Sequence, residues 1–405
     1  MYIERHILFV LERLKRSFPV VLVTGARQVG KTTLLRENGY GQSYYTLDDY
    51  VLLDSVKQDA MGFTANVSTP VILDEIQYAP ELFRAIKLRV DRDGIQGAFL
   101  LTGSQQFEMM LGVSESLAGR IGILTLSGLS SREINGSKFT LPFLTTDEYL
   151  KERQPSVLPL SSSELWRRVH RGSMPKLYAD TAINTQDYYS AYVKTYIERD
   201  VRTLTQVGDE LTFTQFLTAC AARTGALLNL SDISRDVNVS VPTAKRWLSI
   251  LTTSGIVCLL RPFSRNITSR TVKTPKLYFM DTGLAAYLCK WFTPETLEAG
   301  AMGGAFFETY VISEIIKSYQ NSGQEPPLYF YRDTDGHEVD LIIHRDGAIY
   351  PIEIKKTASP GAKDFKRFDT LRRLSGLEVS PGGVVCMYDS PLPLNGGNII
   401  PVSYI

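Results

Sequence analysis

Three groups of residues have the types and spacing to do chemistry. The first is Gly25-Ala26-Arg27-Gln28-Val29-Gly30-Lys31-Thr32-Thr33, which fits G-x-x-x-x-G-K-[ST]. Gly25 and Gly30 admit backbone angles that a side chain forbids. Successive N–H groups can then curl around a phosphate at the positive end of the helix that begins near Lys31. In such a loop Lys31 reaches the β- and γ-phosphates of ATP, and the Thr32 hydroxyl ligates Mg²⁺. The second group is Asp74-Glu75, which ends the apolar run Val71-Ile72-Leu73. A buried parallel strand that ends in two acids opens at a ligand crevice. Downstream of a phosphate loop, Asp74 is placed to hold Mg²⁺ through water and Glu75 to polarise the attacking water. Lys31 and Glu75 are therefore the expected catalytic pair.

The third group lies near the end of the chain, in Glu338-Val339-Asp340 and Glu353-Ile354-Lys355. Asp346-Gly347 stands between two apolar runs and signals a two-residue hairpin turn. With that turn, the residue numbers of paired positions sum to 693. Asp340 then faces Glu353, Glu338 faces Lys355, and all four share one side of the hairpin. Opposed Cβ atoms are about 5 Å apart. Two carboxylates so close repel unless a cation sits between them or one is protonated. A Mg²⁺ or Mn²⁺ ion answers that demand, and Lys355 beside it could stabilise charge on a phosphate. Pro351 calls for an edge or a bulge, which would shift this register. His337 and His344 have no partner at metal-ligand spacing.

This arrangement resembles the PD-(D/E)xK nuclease fold. The resemblance implies Asp340 and Glu353 as metal ligands, Lys355 as charge stabiliser and the helical Glu308 as an accessory acid. Val339 departs from it, standing where that fold often has Pro.

The elements that must carry the first two groups read as a doubly wound α/β sheet. Tyr2 to Phe18 has helical spacing and leads into the strand Val20–Val23. Ser43 to Leu47, Val71 to Asp74, Ala98 to Thr102 and Gly122 to Leu126 supply further strands. At the end of the Ala98–Thr102 strand, Thr102 and Ser104 are candidates to sense the γ-phosphate. Arg120 is a candidate to contact a γ-phosphate in its own subunit or in a neighbouring subunit of a homo-oligomer.

With an extra strand between the phosphate loop and the Asp-Glu strand, the pattern resembles the AAA-type branch of P-loop ATPases. G-A-R-Q-V-G-K-T-T, V-I-L-D-E-I-Q, L-L-T-G-S and L-A-G-R followed by L-S-G-L-S are similar to a group of bacterial and archaeal AAA-type ATPases with an uncharacterised C-terminal domain. That resemblance spans nearly the whole chain and implies ATP and Mg²⁺ as cofactors. Many AAA proteins carry Asn at the first sensor position, where this chain offers Ser104.

Four units are expected: an ATPase domain over 1–140, a helical lid over 141–225, a winged helix-turn-helix over 226–300 and an α/β nuclease-like domain over 301–405. In the third, Ser231 caps a short helix, Asn238 and Val239 turn the chain, and Ser240 caps a second helix with Pro242 in its first turn. Ala244, Trp247, Leu248 and Leu251 form its buried stripe. From Leu228 to Lys276 the chain has eight basic residues against two acids, although the whole chain carries only +1. This concentrated charge suits phosphates, with Lys245 and Arg246 on the second helix as the expected DNA contacts. Glu198, Arg199, Asp200 and Arg202 form a charge run in the lid, read as a solvated helix face.

The four cysteines lie far apart without a C-x-x-C pair, as expected in a reducing cytoplasm. Glu4, Arg5 and His6 break the apolar start, and no run reaches membrane-spanning length. The sequence therefore reads as a cytoplasmic ATP-hydrolysing protein acting on or with DNA. The competing reading is a nucleotide-dependent switch that binds a protein partner and carries an inactive nuclease-like domain.

Overall fold

A computed structural model describes residues 2–40, 43–103, 116–196, 210–263, 274–332, 337–368, 371 and 378–405. Val20–Thr24 (β1), Ser43–Thr46 (β2), Val71–Asp74 (β3), Phe99–Thr102 (β4) and Ile121–Thr125 (β5) form one sheet in the order β2-β3-β4-β1-β5. Every pairing in it is parallel. β1 lies between β4 and β5, so all five of its residues are buried. This accounts for its unbroken apolar run. Its side chains alternate between two cores: Val20 and Leu22 pack with Val56, Leu82, Phe83 and Ile86, and Val21 and Val23 with Val10, Leu11, Leu34 and Leu35.

The first helix, Leu8–Ser17, is shorter than the Tyr2–Phe18 spacing suggests. Arg5 explains the difference. Its guanidinium is buried and tied to groups of the sheet's C-terminal edge, so the chain before the helix follows that edge.

Between residues 141 and 225 the described segments are chiefly helical: Asp147–Arg153, Ser162–Arg171, Pro175–Ala179, Thr185–Tyr196 and Glu210–Ala221. The charge run at Glu198–Arg202 lies outside the described residues. Next come Leu230–Asp236 and Val241–Thr253, joined through Asn238 at φ 54°. Asn229, not Ser231, caps the first of these: its side chain accepts the Asp232 N–H at 3.2 Å. Ser240 caps the second by accepting the Thr243 N–H, with Pro242 in the first turn. Ala244, Trp247, Leu248 and Leu251 are its buried face.

Val257–Pro262 (β6) and Lys276–Phe279 (β7) follow as an antiparallel pair. β6 then pairs in parallel with Leu328–Arg332 (β8). The sheet runs on through Glu338–Arg345 (β9), Ala348–Lys355 (β10), Gly382–Cys386 (β12), Gly397–Pro401 (β14) and Leu392–Leu394 (β13), with Glu378–Val379 (β11) also on β10. It therefore crosses residue 300, where the sequence suggested a boundary.

One apolar cluster extends from Ile7 to Ile405 and joins the ATPase sheet, the helical segments and the helix Gly303–Asn321. That helix docks on the segment after β5. Lys317 pairs with Glu314 at 2.8 Å and donates to the Leu129 carbonyl at 3.1 Å, and the Ser131 N–H donates to Glu314 at 2.7 Å. Among the described residues no helix is long and apolar enough to cross a membrane.

Candidate nucleotide site and the C-terminal acid cluster

The loop after β1 has the geometry its glycines require. Gly25 sits at φ 143°, and a Cβ there would collide with the Leu126 carbonyl oxygen. Gly30, at φ 95°, turns the chain into the helix Lys31–Glu37. Ala26, Arg27, Gln28, Val29 and Thr33 complete the loop and the first helical turn. Lys31 is 8% exposed, and its Nζ donates to the carbonyls of Gly25 at 3.1 Å and Ala26 at 2.9 Å. The ammonium thus rests on carbonyls of its own loop.

β3 ends beside this loop and brings the acids to it. The Thr32 hydroxyl donates to the two oxygens of Asp74 at 2.9 and 3.1 Å. The Tyr44 hydroxyl donates to Asp74 at 2.8 Å, and Thr102 donates to it as well. Asp74 is therefore aimed by three hydroxyls from β2, β4 and the loop helix, none of which cancels its charge. Burial first, then its bond to Asp74, pushes the Tyr44 phenol up to about 12, so it stays a donor. Thr32 and Asp74 form the donor pair that fits Mg²⁺: a hydroxyl and a carboxylate, both oxygen, side by side. Glu75 follows in a left-handed conformation, φ 55° and ψ 46°, which a non-glycine residue adopts at a cost of about 1–3 kcal/mol. Gln77 donates to its carboxylate.

Two residues of this site escaped the sequence. Arg5 donates to the Val29 carbonyl at 2.9 Å, to the Ser127 carbonyl at 2.7 Å and to Glu133 at 3.0 Å. It pins the phosphate loop to the end of β5. Its only signal was a cation among apolar residues. Tyr188, from the helix Thr185–Tyr196, donates to Gln28 at 2.7 Å, so the helical region also grips the loop. Nothing in its local sequence marks that contact.

Two further expected residues stand apart from these. Ser104 lies outside the described residues; Thr102 is the β4 hydroxyl at the acids. Arg120 precedes β5 at the N-terminal edge of the sheet, where its carbonyl accepts from Val20. The phosphate loop leaves the opposite edge, four residues farther along β1, so Arg120 does not reach its own γ-phosphate. It pairs instead with Asp91 at 2.5 Å.

The C-terminal hairpin has the register that the turn demands. Asp346 and Gly347 both have positive φ, and pairing runs from Arg345–Ala348 to Leu341–Ile352. Pro351 causes no bulge because it falls where β10 passes from β11 to β12, leaving no ladder partner for the missing N–H. Beyond Leu341, Asp340 accepts the Ile354 N–H with its side chain at 2.8 Å.

The two carboxylates do meet, on one ammonium: Lys355 is 3.2 Å from Asp340 and 2.5 Å from Glu353. Arg367 also reaches Glu353 at 3.2 Å. Glu338 does not face Lys355; it pairs with Lys276 at 2.6 Å and Arg332 at 3.5 Å. Glu308 is held by Lys276 at 3.2 Å and by the Tyr278 hydroxyl at 2.5 Å.

Burial first, then the Asp340 charge, pushes Glu353 up to about 7. Burial likewise raises Glu308, with Asp340 adding to it and Lys276 opposing. Burial disfavours charge on Lys276 and Lys355, but the surrounding carboxylates outweigh it and raise both. Among the described residues no three acids, histidines or cysteines are grouped to hold a metal ion. Four carboxylates are met by two lysines and two arginines. The arrangement as it stands does not fit a metal, although one buried Glu353 oxygen, Oε1, lacks a hydrogen-bond partner among the described residues.

The basic stretch divides in the same way. Lys276 is 4% exposed and belongs to the acid cluster, not to a surface patch. Arg235 pairs with Asp232. Arg265, Arg270 and Lys273 lie outside the described residues. Lys245, Arg246 and Arg261 are exposed.

A parallel β2-β3-β4-β1-β5 sheet with this loop and acid pair defines an AAA-type P-loop ATPase. The family model described as AAA domain matches residues 17–135. Residues 162–295 match Domain of unknown function (DUF8612), and residues 303–405 match Domain of unknown function (DUF4143). The chain is 31% identical over 355 residues to uncharacterized protein Rv2008c of Mycobacterium tuberculosis, covering 86% of this chain and 73% of that one. Uncharacterized protein Mb2031c of Mycobacterium bovis matches to the same extent. The chain belongs to the family of these mycobacterial proteins. Among solved structures, the Walker-type ATPase PABY2304 of Pyrococcus abyssi aligns with a TM-score of 0.44 at 15% identity, covering 71% of this chain and 96% of that one.

Proposed function

We propose that the chain binds ATP with Mg²⁺ at the Gly25–Thr33 loop, hydrolyses it, and acts with DNA. The observation that carries the catalytic part is the set of hydroxyls on Asp74. Thr32, Tyr44 and Thr102 orient this carboxylate without neutralising it. A carboxylate prepared in that way suits a hydrated cation. In this reading Mg²⁺–ATP supplies the charge that Asp74, Thr32 and Lys31 are built to meet. Lys31 moves from the Gly25 and Ala26 carbonyls onto phosphate oxygens, which are stronger, charged acceptors. Glu75, one residue beyond Asp74, accepts the proton of the attacking water, and Gln77 fixes the direction of its carboxylate.

The DNA part rests on the paired helices, the β6-β7 hairpin and the exposed Arg246, which together support a winged helix-turn-helix. The C-terminal sheet, with Asp340, Glu353 and Lys355 on one face, supports a nuclease-like fold. Its four acids are answered by cations of the same chain. This favours a domain that has kept the fold as a scaffold over one that cleaves DNA through Mg²⁺ or Mn²⁺. The deciding experiment is ATP hydrolysis by the full chain, with and without single- and double-stranded DNA. Stimulation by DNA is the expected result. Hydrolysis indifferent to DNA, with no measurable DNA affinity, would favour a nucleotide switch for a protein partner. Mn²⁺-dependent cleavage abolished by Asp340→Ala would overturn the scaffold reading of the last domain.

A further inference from the structure

Arg5 is a buried cation beside the phosphate loop whose charge is already answered. Its Nε donates to Glu133 at 3.0 Å, and the Glu133 side chain is fully buried. Glu133 is itself fixed. It accepts the His6 N–H at 2.9 Å, the Ser130 N–H at 2.7 Å and the Ser130 hydroxyl at 3.0 Å. The guanidinium is thus neutralised and held in place from the segment after β5. Its remaining nitrogens donate to carbonyls: to Val29 at 2.9 Å, to Ser127 at 2.7 Å and to Gly128 at 3.3 Å. A planar fork of donors serves all of these at once, which an ammonium on a flexible stem does not.

The Val29 carbonyl and the Gly30 N–H belong to one peptide. A trans peptide is planar, so these two groups point in opposite directions. Arg5 draws the carbonyl toward the end of β5, where Ser127 and Gly128 lie. The Gly30 N–H is thereby turned away from Arg5. Little else fixes this plane. The Val29 side chain is buried in the core, which holds its Cα but not the peptide after it. Gly30 has no Cβ, and nothing lies within 4 Å of where one would stand. Which of the two groups faces the inside of the loop therefore depends on one hydrogen bond. An N–H there offers a donor to a phosphate, and a carbonyl there repels it.

We propose that Arg5 is a positioning residue for nucleotide binding: it holds the Val29 carbonyl outside the phosphate loop and so keeps the Gly30 N–H facing the phosphate chain. This rests on the reading of Gly25–Thr33 as an ATP site, and adds what sets that loop before ATP arrives. Arg5 gives the phosphates no charge, because Glu133 answers it; it gives the direction of one donor. A donor set in advance serves the bound substrate and the transition state alike. Its loss raises KM and leaves kcat nearly unchanged.

The test is calorimetric titration of ATP with Mg²⁺ into the full chain and into Arg5→Lys, Arg5→Gln, Lys31→Ala and Lys317→Met, with steady-state hydrolysis alongside. Lys317→Met is the stability control. It removes another buried cation, bonded at 3.1 Å to the Leu129 carbonyl of the same segment after β5, without touching the phosphate loop. Losing one donor to a charged acceptor weakens binding by about tenfold. Both Arg5 variants should lose ATP affinity by that factor and raise KM to match, with kcat within about threefold of wild type. Lys317→Met should bind ATP within about threefold of wild type. Should one Arg5 variant fail to fold, the other decides. ATP affinity lost in Lys31→Ala but intact in the Arg5 variants would overturn this inference alone. So would an equal loss in Lys317→Met, which would make the effect one of general loosening. A fall in kcat at unchanged KM would also overturn it, since Arg5 would then act on the chemical step. Wild type that fails to bind ATP would overturn the ATP reading, and this inference with it.

Discussion

Two acid pairs in this chain, one adjacent and one split between two strands, both point in sequence to metal-dependent chemistry and differ in what surrounds them. Asp74 and Glu75 meet hydroxyls and an amide, while the nearby Lys31 rests on backbone carbonyls. Asp340 and Glu353 meet an ammonium and a guanidinium directly. A hydroxyl orients a carboxylate and leaves its charge for a later partner. An ammonium at 2.5–3.2 Å orients it and cancels the charge. In the proposed function the first pair is prepared for an incoming cation; the second already meets cations of its own chain. On that proposal the kind of donor, more than the spacing of the acids, separates a site that awaits a ligand from one that stabilises a fold.

The largest effect that would sharpen this contrast is on turnover. Glu75→Gln should leave ATP binding intact and lower the hydrolysis rate by about 10²–10⁴-fold, because an amide cannot take a proton from water. Steady-state phosphate release measures it, and a rate near wild type would remove Glu75 from its role. Next is binding. Lys31→Ala should weaken ATP affinity by at least about 100-fold, close to 3 kcal/mol, since the ammonium has no substitute in the loop. Calorimetry that showed a shift of only severalfold would place the phosphates elsewhere.

The third test addresses the neutralised cluster. Lys276→Ala removes the cation shared by Glu308 and Glu338 and should cost about 3 kcal/mol of stability, as unpaired buried charges do. Adding Glu308→Gln should recover part of that loss. Urea unfolding would show both, and a loss below about 1 kcal/mol would blunt the contrast between the two acid pairs.

The smallest effect is a pH dependence. Glu353 titrates near 7 in the folded chain, above its ordinary value of 4.5. The folded state therefore holds its proton more tightly than the unfolded one. Its contribution to stability is full below about 4.5 and is lost as pH rises through about 7. Glu353→Gln should flatten the fall in stability across that window. Melting temperatures of the two proteins at pH 5 and pH 8 would reveal it, and parallel curves would mean that Lys355 and Arg367 keep Glu353 ionised throughout.

What the sequence determined by itself was local. The glycine spacing, the apolar run before it and the acids after β3 specified the phosphate loop and its strands, because backbone sterics and side-chain alternation act over a few residues. The Asp346-Gly347 turn specified the hairpin register for the same reason. Ser240 and Pro242 marked one helix start correctly, whereas Ser231 misled because Asn229, two residues earlier, was equally able to cap.

Tertiary structure decided everything that depends on which charge meets which. Lys276 reads as part of a basic surface until β7 buries it between Glu308 and Glu338. Arg120 reads as a contact to the γ-phosphate of its own or a neighbouring subunit, and the parallel sheet puts it at the edge away from its own phosphate loop. Arg5 and Tyr188 reach the phosphate loop from segments 24 and 160 residues away in sequence. Coulomb interactions and burial depend on distance in space, and no local pattern encodes the separation between residues that the fold brings together.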